Sequence, residues 1–484
     1  MRRRAFLGGT LALGGCGLSE LNPGIEGITT QTLYRYSDDL DPALRRPIVT
    51  VPGILGSRLR VGREGEFLWG GPRRLSLNPT DTDDARQLAL PIGDGSEPLR
   101  DLRDGVRTDG VLRRANARLL FGTVEEEVYD GLVMALNAGG YEFSRTEEEE
   151  RARRGENPGS LEFPYDWRRD IVEAAHELDD FIERKAEQVS RVRTARYGSA
   201  LPPDQIRFDF IAHSMGSLVV RYWMMYGAQD LPEDGSLPEL TWAGARRAAC
   251  VVYVAPPNLG SVTAFTSITR GRSFGPLQPV YPPGLIGTHV STYQLMPRTR
   301  HGRIRTGEGE GRSIGDIYDA ALWDDRGWGL LDPAEDAFLA RLLPDAGTRT
   351  ARRGLARRHL ERVLKRAEQF QRAIDRPGTP RATDLFLVVG TGRDTPAAAV
   401  LPSAPGGEVT LLEEEGDGVV LRASALSEDD QGGHRADGPR RPIRYRTVLL
   451  LPDDHVSLTR NVVFADNLHY WLLDAPRRRV REPA

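Results

Sequence analysis

Short apolar runs alternate with longer amphipathic stretches along this chain, and that pattern predicts strands separated by helices. Apolar runs of strand length, most of them bounded by turn residues, lie at residues 46–51, 206–212, 248–255, 385–389 and 446–451. Helical spacing occurs at residues 124–136, 171–192, 218–226, 333–343, 352–374 and 458–473. Strands that alternate with helices favour a mostly parallel sheet covered on both faces, so the sequence predicts a doubly wound α/β fold.

Two stretches interrupt this alternation. Residues 58–118 are rich in Gly, Pro, Asp and Arg and have weak periodicity. This segment is too long for a plain connection, so we expect a lid or an Ω-loop there. Residues 259–381 contain Pro/Gly turns and then two charged helical stretches, which predicts a helical cap over the sheet. We therefore expect one domain over residues 47–475 that carries both insertions, followed by a basic tail at residues 476–484.

The first residues predict a targeting segment. Arg2-Arg3-Arg4 precedes a short apolar run, and small residues then lead to Cys16. The pattern resembles a bacterial lipoprotein signal, in which Cys16 is lipidated, and also a twin-arginine export signal. The alternative is an ordinary secretory signal with an incidental cysteine. We expect a signal peptide at residues 1–16, a tether at residues 17–46, and a protein exported and lipid-anchored to the bacterial cell envelope, in the periplasm or on the outer face of the membrane.

The composition bears on whether the protein binds nucleic acid, a metal or a cofactor. The 484 residues carry 65 basic and 69 acidic side chains, a net charge of -4, which does not favour nucleic-acid binding. The second cysteine, Cys250, lies in a predicted buried strand, so we expect no disulfide and no thiolate metal site. We expect no cofactor and no metal. A calcium site in the acidic segment at residues 81–84 is the alternative, and a solvated loop is favoured over it.

The segment Ala212-His213-Ser214-Met215-Gly216 lies between a predicted strand and a predicted helix. That is the context of a nucleophile elbow, a turn so tight that the residues two positions either side of the serine must be small. Ala212 and Gly216 both meet this requirement. Ser214 is therefore the predicted nucleophile, and the N–H of Met215 is a predicted oxyanion donor.

A serine nucleophile needs a general base, and the partners in such a fold follow in the order Ser, Asp or Glu, His. Among eight histidines, His455 follows a predicted strand by a short turn and precedes the closing helix. We predict that His455 is the base. We expect His213 to point away from the site and His176 and His359 to lie on the surface. The remaining histidines fall in the closing helix or in irregular regions: His289, His301, His434 and His469.

The acid that orients the base is predicted at Asp417. Glycines flank it in Gly416-Asp417-Gly418, so the backbone can turn sharply and bring the carboxylate to the imidazole. Asp394, Asp453 and Asp454 remain alternatives. A second oxyanion donor is expected in the glycine-rich loop after the first strand, residues 51–57, with Leu55 as the chosen residue and a simple strand-ending turn as the alternative.

Six segments, taken in order, resemble the lecithin:cholesterol acyltransferase family, which includes phospholipid acyltransferases and phospholipases. They lie at residues 51–57, 164–168, 212–216, 255–261, 293–297 and 416–420. The resemblance implies an α/β-hydrolase fold, a triad of Ser214, Asp417 and His455, and an oxyanion hole at Leu55 and Met215. It also implies a mobile lid after Ser57, a cap that shapes an acyl pocket, and a structural role for residues 164–168, in which Asp166 pairs with Arg168.

Three departures leave the substrate open. No cysteine is available to close the lid with a disulfide, Ala212 replaces a glycine, and the segment after Asn258 lacks a tryptophan and a second glycine. The resemblance implies a lipid O-acyltransferase, lipase or phospholipase that works through an acyl-enzyme and acts on a lipid ester, with water or an alcohol as acceptor. The alternatives are a non-catalytic envelope binding protein on a hydrolase scaffold and a soluble esterase for small esters.

Overall fold

The computed structural model describes residues 46–62, 65–72, 76–119, 122–138, 141, 159–198, 201–273, 279–402, 409–428 and 443–474. The predicted signal peptide with Cys16, the tether up to residue 45, the basic tail and His434 lie outside the described residues. Among the described residues, no helix combines the length and apolar character that crossing a membrane requires.

The described chain forms seventeen strands. In chain order they are β1 (Ile48–Val51), β2 (Ser57–Val61), β3 (Phe67–Trp69), β4 (Val106–Val111), β5 (Arg114–Leu119), β6 (Gly122–Glu127), β7 (Ser160–Glu162), β8 (Phe208–His213), β9 (Ala248–Val254), β10 (Arg272–Ser273), β11 (Val280–Tyr281), β12 (Ile304–Thr306), β13 (Arg312–Ser313), β14 (Asp384–Gly390), β15 (Arg393–Leu401), β16 (Thr410–Gly416) and β17 (Thr447–Leu451).

Twelve α-helices accompany these strands in the part of the chain that the structure describes. They are α1 (Thr82–Leu88), α2 (Asp130–Ala138), α3 (Ile171–Tyr197), α4 (Met215–Tyr226), α5 (Val262–Arg270), α6 (Pro283–Ile286), α7 (Val290–Gln294), α8 (Ala320–Arg326), α9 (Asp336–Leu342), α10 (Arg349–Ile374), α11 (Arg422–Ala425) and α12 (Val462–His469). Short 3₁₀ turns and a π-helical turn at Tyr470–Asp474 connect or extend them.

Six strands form the central sheet in the order β17-β14-β9-β8-β1-β7, and every neighbouring pair is parallel. Alternate side chains of β8 face opposite layers: Phe208 and Phe210 join the larger hydrophobic core, whereas Ile211 joins the smaller one. Helices α3 and α4 cover the first face, with α10 packed on the outer side of α4, and α2 and α12 cover the second face. Both faces are therefore buried, as a parallel sheet requires, and the predicted α/β fold is confirmed.

The two insertions have regular structure of their own. Within residues 58–118, strands β2, β3 and β4 form a three-stranded antiparallel sheet, and α1 follows β3. The acidic segment suggested as a calcium site caps this helix, because Asp81 Oδ1 accepts from the N–H groups of Asp83 and Asp84. Within residues 259–381 lie helices α5 to α10. A second, four-stranded sheet, in the order β13-β12-β15-β16, joins this region to the strand that leads to Asp417.

The helix predicted at residues 124–136 is wrong in its first half. Residues 122–127 form β6, which pairs antiparallel with β5, and the helix begins only at Asp130. Pairing with β5 satisfies the backbone N–H and C=O groups of this segment in a ladder instead of a helix. A tertiary partner thus overrides the local helical spacing, which is a weak preference.

Candidate active site

Ser214 lies at the junction between β8 and α4 with φ 52° and ψ −126°. A positive φ is strained for a residue with a side chain, and such strain is concentrated at functional sites. The turn leaves no room beside it, since a Cβ atom on Gly216 would collide with the carbonyl oxygen of Pro52. The tight turn holds the Ser214 hydroxyl at the carboxyl edge of the sheet, where only 6% of the residue is exposed.

The structure brings Ser214, His455 and Asp417 together. The Ser214 Oγ atom lies 2.9 Å from His455 Nε2, and His455 Nδ1 lies 2.7 Å from Asp417 Oδ2. All three residues are buried. A hydroxyl, an imidazole and a carboxylate in this sequence of bonds can pass a proton from the serine to the imidazole while the carboxylate stabilises the imidazolium.

The Asp417 carboxylate is held by its own loop. Its Oδ1 atom accepts from the N–H groups of Val419 (2.9 Å) and Val420 (2.7 Å), which leaves Oδ2 for the imidazole. Gly418 has φ 88°, a conformation that favours glycine, and the N–H of His455 donates to the Asp417 carbonyl at 3.0 Å. The orientation of the acid therefore depends on a few neighbouring residues.

The three alternative acids do not contact the His455 ring within the described structure. Asp394 is exposed on β15. Asp453 Oδ2 accepts from the side-chain amide of Asn461, and Asp454 accepts from the N–H and the hydroxyl of Ser457. In the described structure, Asp417 is the carboxylate that bonds to the His455 ring.

The loop at residues 52–57, here called the oxyanion loop, lies against the nucleophile. A Cβ atom on Gly53 would be only 2.8 Å from the Ser214 Cβ. The loop makes a tight turn in which the Gly56 N–H donates to the Gly53 carbonyl at 3.0 Å, and Leu55 has φ 65°. The structure thus places the loop that contains Leu55 beside Ser214.

Aromatic side chains from distant segments hold the carbonyl groups of the oxyanion loop. Tyr165 donates its hydroxyl hydrogen to the Pro52 carbonyl at 2.9 Å. The indole N–H groups of Trp69 and Trp167 donate to the carbonyls of Leu55 (2.7 Å) and Ser57 (3.2 Å). By contrast, the N–H groups of Leu55 and Met215 donate to no acceptor within the described residues. Within that part of the chain, both N–H groups are candidate donors to a bound oxyanion.

The predicted pairing of Asp166 with Arg168 is confirmed. The Arg168 guanidinium is fully buried and binds both carboxylate oxygens of Asp166, at 3.0 and 2.7 Å. It also binds Asp104 at 2.7 Å and the carbonyls of Gln87 and Leu88 at 3.3 Å. Burial by itself raises the pKa of Asp166, but the Arg168 charge outweighs it and the pKa is lowered. The bonds of Arg168 therefore connect the first insertion, which contains Leu88 and Asp104, to residues 164–168, which contact the oxyanion loop.

Two of the buried histidines, His213 and His359, test predictions made from the sequence. His213 does point away from Ser214, as expected: its Nδ1 contacts the Tyr129 hydroxyl and its Nε2 the His455 carbonyl. The prediction that His359 lies on the surface is wrong, because this residue is 1% exposed within α10. The charged side chains around it made α10 look uniformly solvated, and only its packing shows which face is buried.

Sequence reasoning missed two residues that hold the oxyanion loop, Tyr129 and Trp69. The N–H of Gly53 donates to the Tyr129 hydroxyl at 2.8 Å. Tyr129 lies in the stretch predicted as a helix, and Trp69 lies in the stretch predicted as a lid. No local pattern marks either residue, because the loop they bind is 14 to 76 positions away.

The chain is similar to known lipid-active proteins. Residues 152–302 match the family model "Lecithin:cholesterol acyltransferase", which confirms the resemblance seen in the motifs. In the curated proteins, no significant sequence match is found.

Solved structures extend the comparison to the fold. A chain of the Tle4–Tli4 complex is 16% identical, with a TM-score of 0.55, and the alignment covers 89% of this chain and 98% of that one. Lipase 1 from Pelosinus fermentans (89% and 98% covered) and Staphylococcus hyicus lipase (90% and 96%) are each 13% identical with a TM-score of 0.33. The likeness of fold is therefore drawn from the Tle4–Tli4 chain, with its TM-score of 0.55.

Proposed function

We propose that this protein is a lipid O-acyltransferase or a lipase or phospholipase that works through an acyl-enzyme on Ser214. The observation that carries the proposal is the buried series of hydrogen bonds from Ser214 Oγ through His455 to Asp417. The match to the lecithin:cholesterol acyltransferase family supports a lipid ester as the substrate.

The first half of the reaction forms the acyl-enzyme. Ser214 Oγ attacks the ester carbonyl carbon while its proton passes to His455 Nε2. The carbonyl oxygen becomes an oxyanion, which the N–H groups of Leu55 and Met215 bind; each such donor is worth about 3–4 kcal/mol in the transition state. The bond from the carbonyl carbon to the leaving oxygen then breaks, and the proton on Nε2 moves to that oxygen.

The second half releases the acyl group. Water or an alcohol attacks the acyl carbon and gives its proton to His455 Nε2. The bond to Ser214 Oγ breaks, and that oxygen takes the proton back. Hydrolysis and transfer share every step except the identity of the attacking hydroxyl, so the outcome depends on how well the site excludes water and binds an alcohol.

A fluorophosphonate probe tests the nucleophile directly. We expect the chain lacking residues 1–16 to be labelled, Ser214→Ala to be unlabelled, and His455→Ala to react at least about 10⁴-fold more slowly. His176→Ala, which removes a histidine on α3, is the matched control and should react at the wild-type rate. Absence of labelling of the wild type, also in detergent micelles, would contradict the enzyme and support a binding protein.

Vesicles of phospholipid that contain a long-chain alcohol then test the substrate. We expect release of fatty acid, or formation of a fatty ester of the alcohol, and neither product with Ser214→Ala. The ratio of the two products distinguishes hydrolysis from acyl transfer. Turnover of short-chain p-nitrophenyl esters with no reaction on the vesicles would exclude a lipid substrate and favour a soluble esterase.

We propose further that the N-terminal segment exports the protein and that Cys16 is lipidated. The pattern of basic, apolar and small residues before Cys16 supports this. Mass spectrometry of the full chain expressed in bacteria should find a diacylglycerol-modified Cys16 in the membrane fraction, and Cys16→Ser should abolish the modification. An unmodified, cleaved chain would instead indicate an ordinary secretory signal.

A further inference from the structure

Tyr129 is a buried residue that joins two parts of the active site. It is 2% exposed and lies between β6 and α2. Its N–H and that of Val128 both donate to the Arg113 carbonyl, at 3.1 and 2.8 Å. The one hydrogen of the Thr459 hydroxyl is shared between the carbonyls of Val128 (3.0 Å) and Val456 (2.8 Å). These bonds fix the backbone on both sides of the ring, so the phenol oxygen has a defined position.

The hydrogen bonds of the Tyr129 hydroxyl determine where its proton lies. Its oxygen accepts from the Gly53 N–H at 2.8 Å and is 2.8 Å from His213 Nδ1. Burial raises the pKa of Tyr129, so the phenol stays neutral and keeps one hydrogen to donate. The Gly53 bond uses a lone pair, so the hydrogen remains for donation to His213 Nδ1 if that nitrogen carries no proton.

The tautomer of His213 follows from the His455 carbonyl oxygen, which can only accept. His213 Nε2 lies 3.0 Å from this oxygen and therefore carries a hydrogen, which it donates. A neutral imidazole with its hydrogen on Nε2 has a bare Nδ1, which accepts from the Tyr129 hydroxyl. Burial and the nearby His455 lower the pKa of His213 to about 3, in agreement with a neutral ring. Tyr129, His455 and Asp417 are the titratable groups that face this ring.

We propose that Tyr129 and His213 form a neutral hydrogen-bonded relay that sets the position of the oxyanion loop relative to His455. The relay runs from the Gly53 N–H through the Tyr129 hydroxyl to His213 Nδ1, and from His213 Nε2–H to the His455 carbonyl. Both are positioning residues, because they act through the oxyanion loop and the base. Their catalytic effect rests on the function proposed above.

The relay explains why His213 precedes the nucleophile. The side chain of the residue before Ser214 lies beside Gly53, since a Cβ atom on Gly53 would be 3.3 Å from His213 Nδ1, and it also reaches the His455 carbonyl. The His213 and His455 rings are in contact, with centroids 4.9 Å apart. Because a misplacement of about 1 Å costs as much as 100-fold in rate, a single rigid link between the two loops has a direct effect on the reaction.

Nitrogen NMR of the ¹⁵N-histidine-labelled chain tests the relay without any assay of activity. We expect the His213 ring, assigned by its absence in His213→Gln, to be the Nε2–H tautomer and not to titrate between about pH 5 and pH 8. In Tyr129→Phe the Nδ1 resonance should shift, since Nδ1 loses its hydrogen-bond donor. An Nδ1–H tautomer, or titration of His213 near its ordinary pKa, would overturn the proposal.

Kinetics test the positioning role. Tyr129→Phe and His213→Leu should each lower kcat about 10- to 100-fold with little change in KM, and the double variant should be no slower than the slower single one. His213→Gln should retain more activity than His213→Leu, because its amide N–H can still donate to the His455 carbonyl. Losses that multiply in the double variant, or unchanged kcat in Tyr129→Phe, would show that the residues do not act as one relay.

A matched control separates this effect from the loss of any buried hydroxyl. Tyr293 is fully buried and donates to the Gly287 carbonyl at 3.0 Å, away from Ser214. Tyr293→Phe should lower stability about as much as Tyr129→Phe but leave kcat unchanged. If the fluorophosphonate does not label Ser214 in the wild type, the proposed function fails, and the NMR experiment still decides whether the relay exists.

Discussion

The oxyanion loop and the loop around Asp417 meet at Ser214 but are held in position by different means. The Asp417 carboxylate is oriented by its own loop, since it accepts from the N–H groups two and three residues ahead. The backbone of that loop is also bonded by Thr395, Ser261 and the N–H of His455. The oxyanion loop depends on side chains from elsewhere, because Tyr129, Tyr165, Trp69 and Trp167 take up its backbone groups.

This difference shows which part of the site depends on residues that are close in sequence and which part depends on remote residues. A carboxylate that is oriented by its own loop can be recognised from a short motif, since the N–H groups that orient it lie in that motif. A loop held by remote aromatic residues shows only its glycines in the sequence. It follows that the two loops should respond differently to substitution: the first through the chemistry of one carboxylate, the second through many anchoring bonds of similar strength.

The largest effect is expected at the Asp417 carboxylate. Asp417→Asn keeps the shape of the side chain but removes the charge that stabilises the imidazolium and selects its tautomer, so kcat should fall about 10⁴-fold. Steady-state hydrolysis of a lipid ester measures this. Asp394→Asn, which replaces an exposed carboxylate on β15, is the control and should leave kcat unchanged. Equal activity of Asp417→Asn and wild type would show that Asp417 is not the acid.

A smaller effect is expected when one anchor of the oxyanion loop is removed. Tyr165→Phe leaves the Pro52 carbonyl buried without its donor, which should cost about 1–3 kcal/mol of stability and lower kcat about 10-fold. Chemical denaturation and steady-state kinetics measure the two effects. Adding Trp69→Phe, which removes the anchor at Leu55, should lower kcat further. Full activity of the double variant would mean that the loop holds its shape unaided.

His359 is a buried histidine outside both loops, so its substitution should change stability and not the reaction. His359 has no hydrogen-bond partner within the described residues, and burial lowers its pKa to about 4. The unfolded chain, with an ordinary histidine pKa of about 6.5, takes up a proton first, so stability is lost as the pH falls from about 6.5 towards 4. His359→Leu should therefore recover about 2 kcal/mol at about pH 5 relative to about pH 8.

Chemical denaturation at the two pH values checks this expectation. His213, whose pKa is also lowered by burial, cannot serve as a simple comparison because both its nitrogens are bonded. Asp394→Asn, the exposed variant on β15, serves as the reference for the general acid response of the fold. An identical pH dependence of wild type and His359→Leu would show that His359 is not buried as a neutral ring.

The smallest effect is expected at the strained residue of the oxyanion loop. Leu55 has φ 65°, which costs a residue with a side chain about 1 kcal/mol or more, whereas glycine adopts it freely. Leu55→Gly should relieve this strain while keeping the N–H donor, so kcat should change less than in Tyr165→Phe. Thermal unfolding should show a stability equal to or above that of wild type. A loss of 10-fold or more in kcat would mean that the leucine side chain itself positions the substrate.

The sequence by itself determined the elements and motifs whose physics is local. Strands and helices of the central sheet follow from apolar spacing, and β8, α3 and α4 lie where that spacing predicts them. The elbow at Ser214 follows from small residues around a tight turn, and the position of Asp417 follows from flanking glycines. In each case the deciding atoms lie within a few residues of one another, so a single segment carries the whole argument.

The tertiary structure alone decided what distant segments do to one another. Pairing with β5 turned part of a predicted helix into β6, and the packing of α10 buried His359 among charged neighbours. The oxyanion loop owes its anchoring to Tyr129, Trp69 and Tyr165, and the tautomer of His213 is set by the His455 carbonyl, 242 positions away. Hydrogen bonds and burial depend on distance in space, and only the folded chain brings those atoms together.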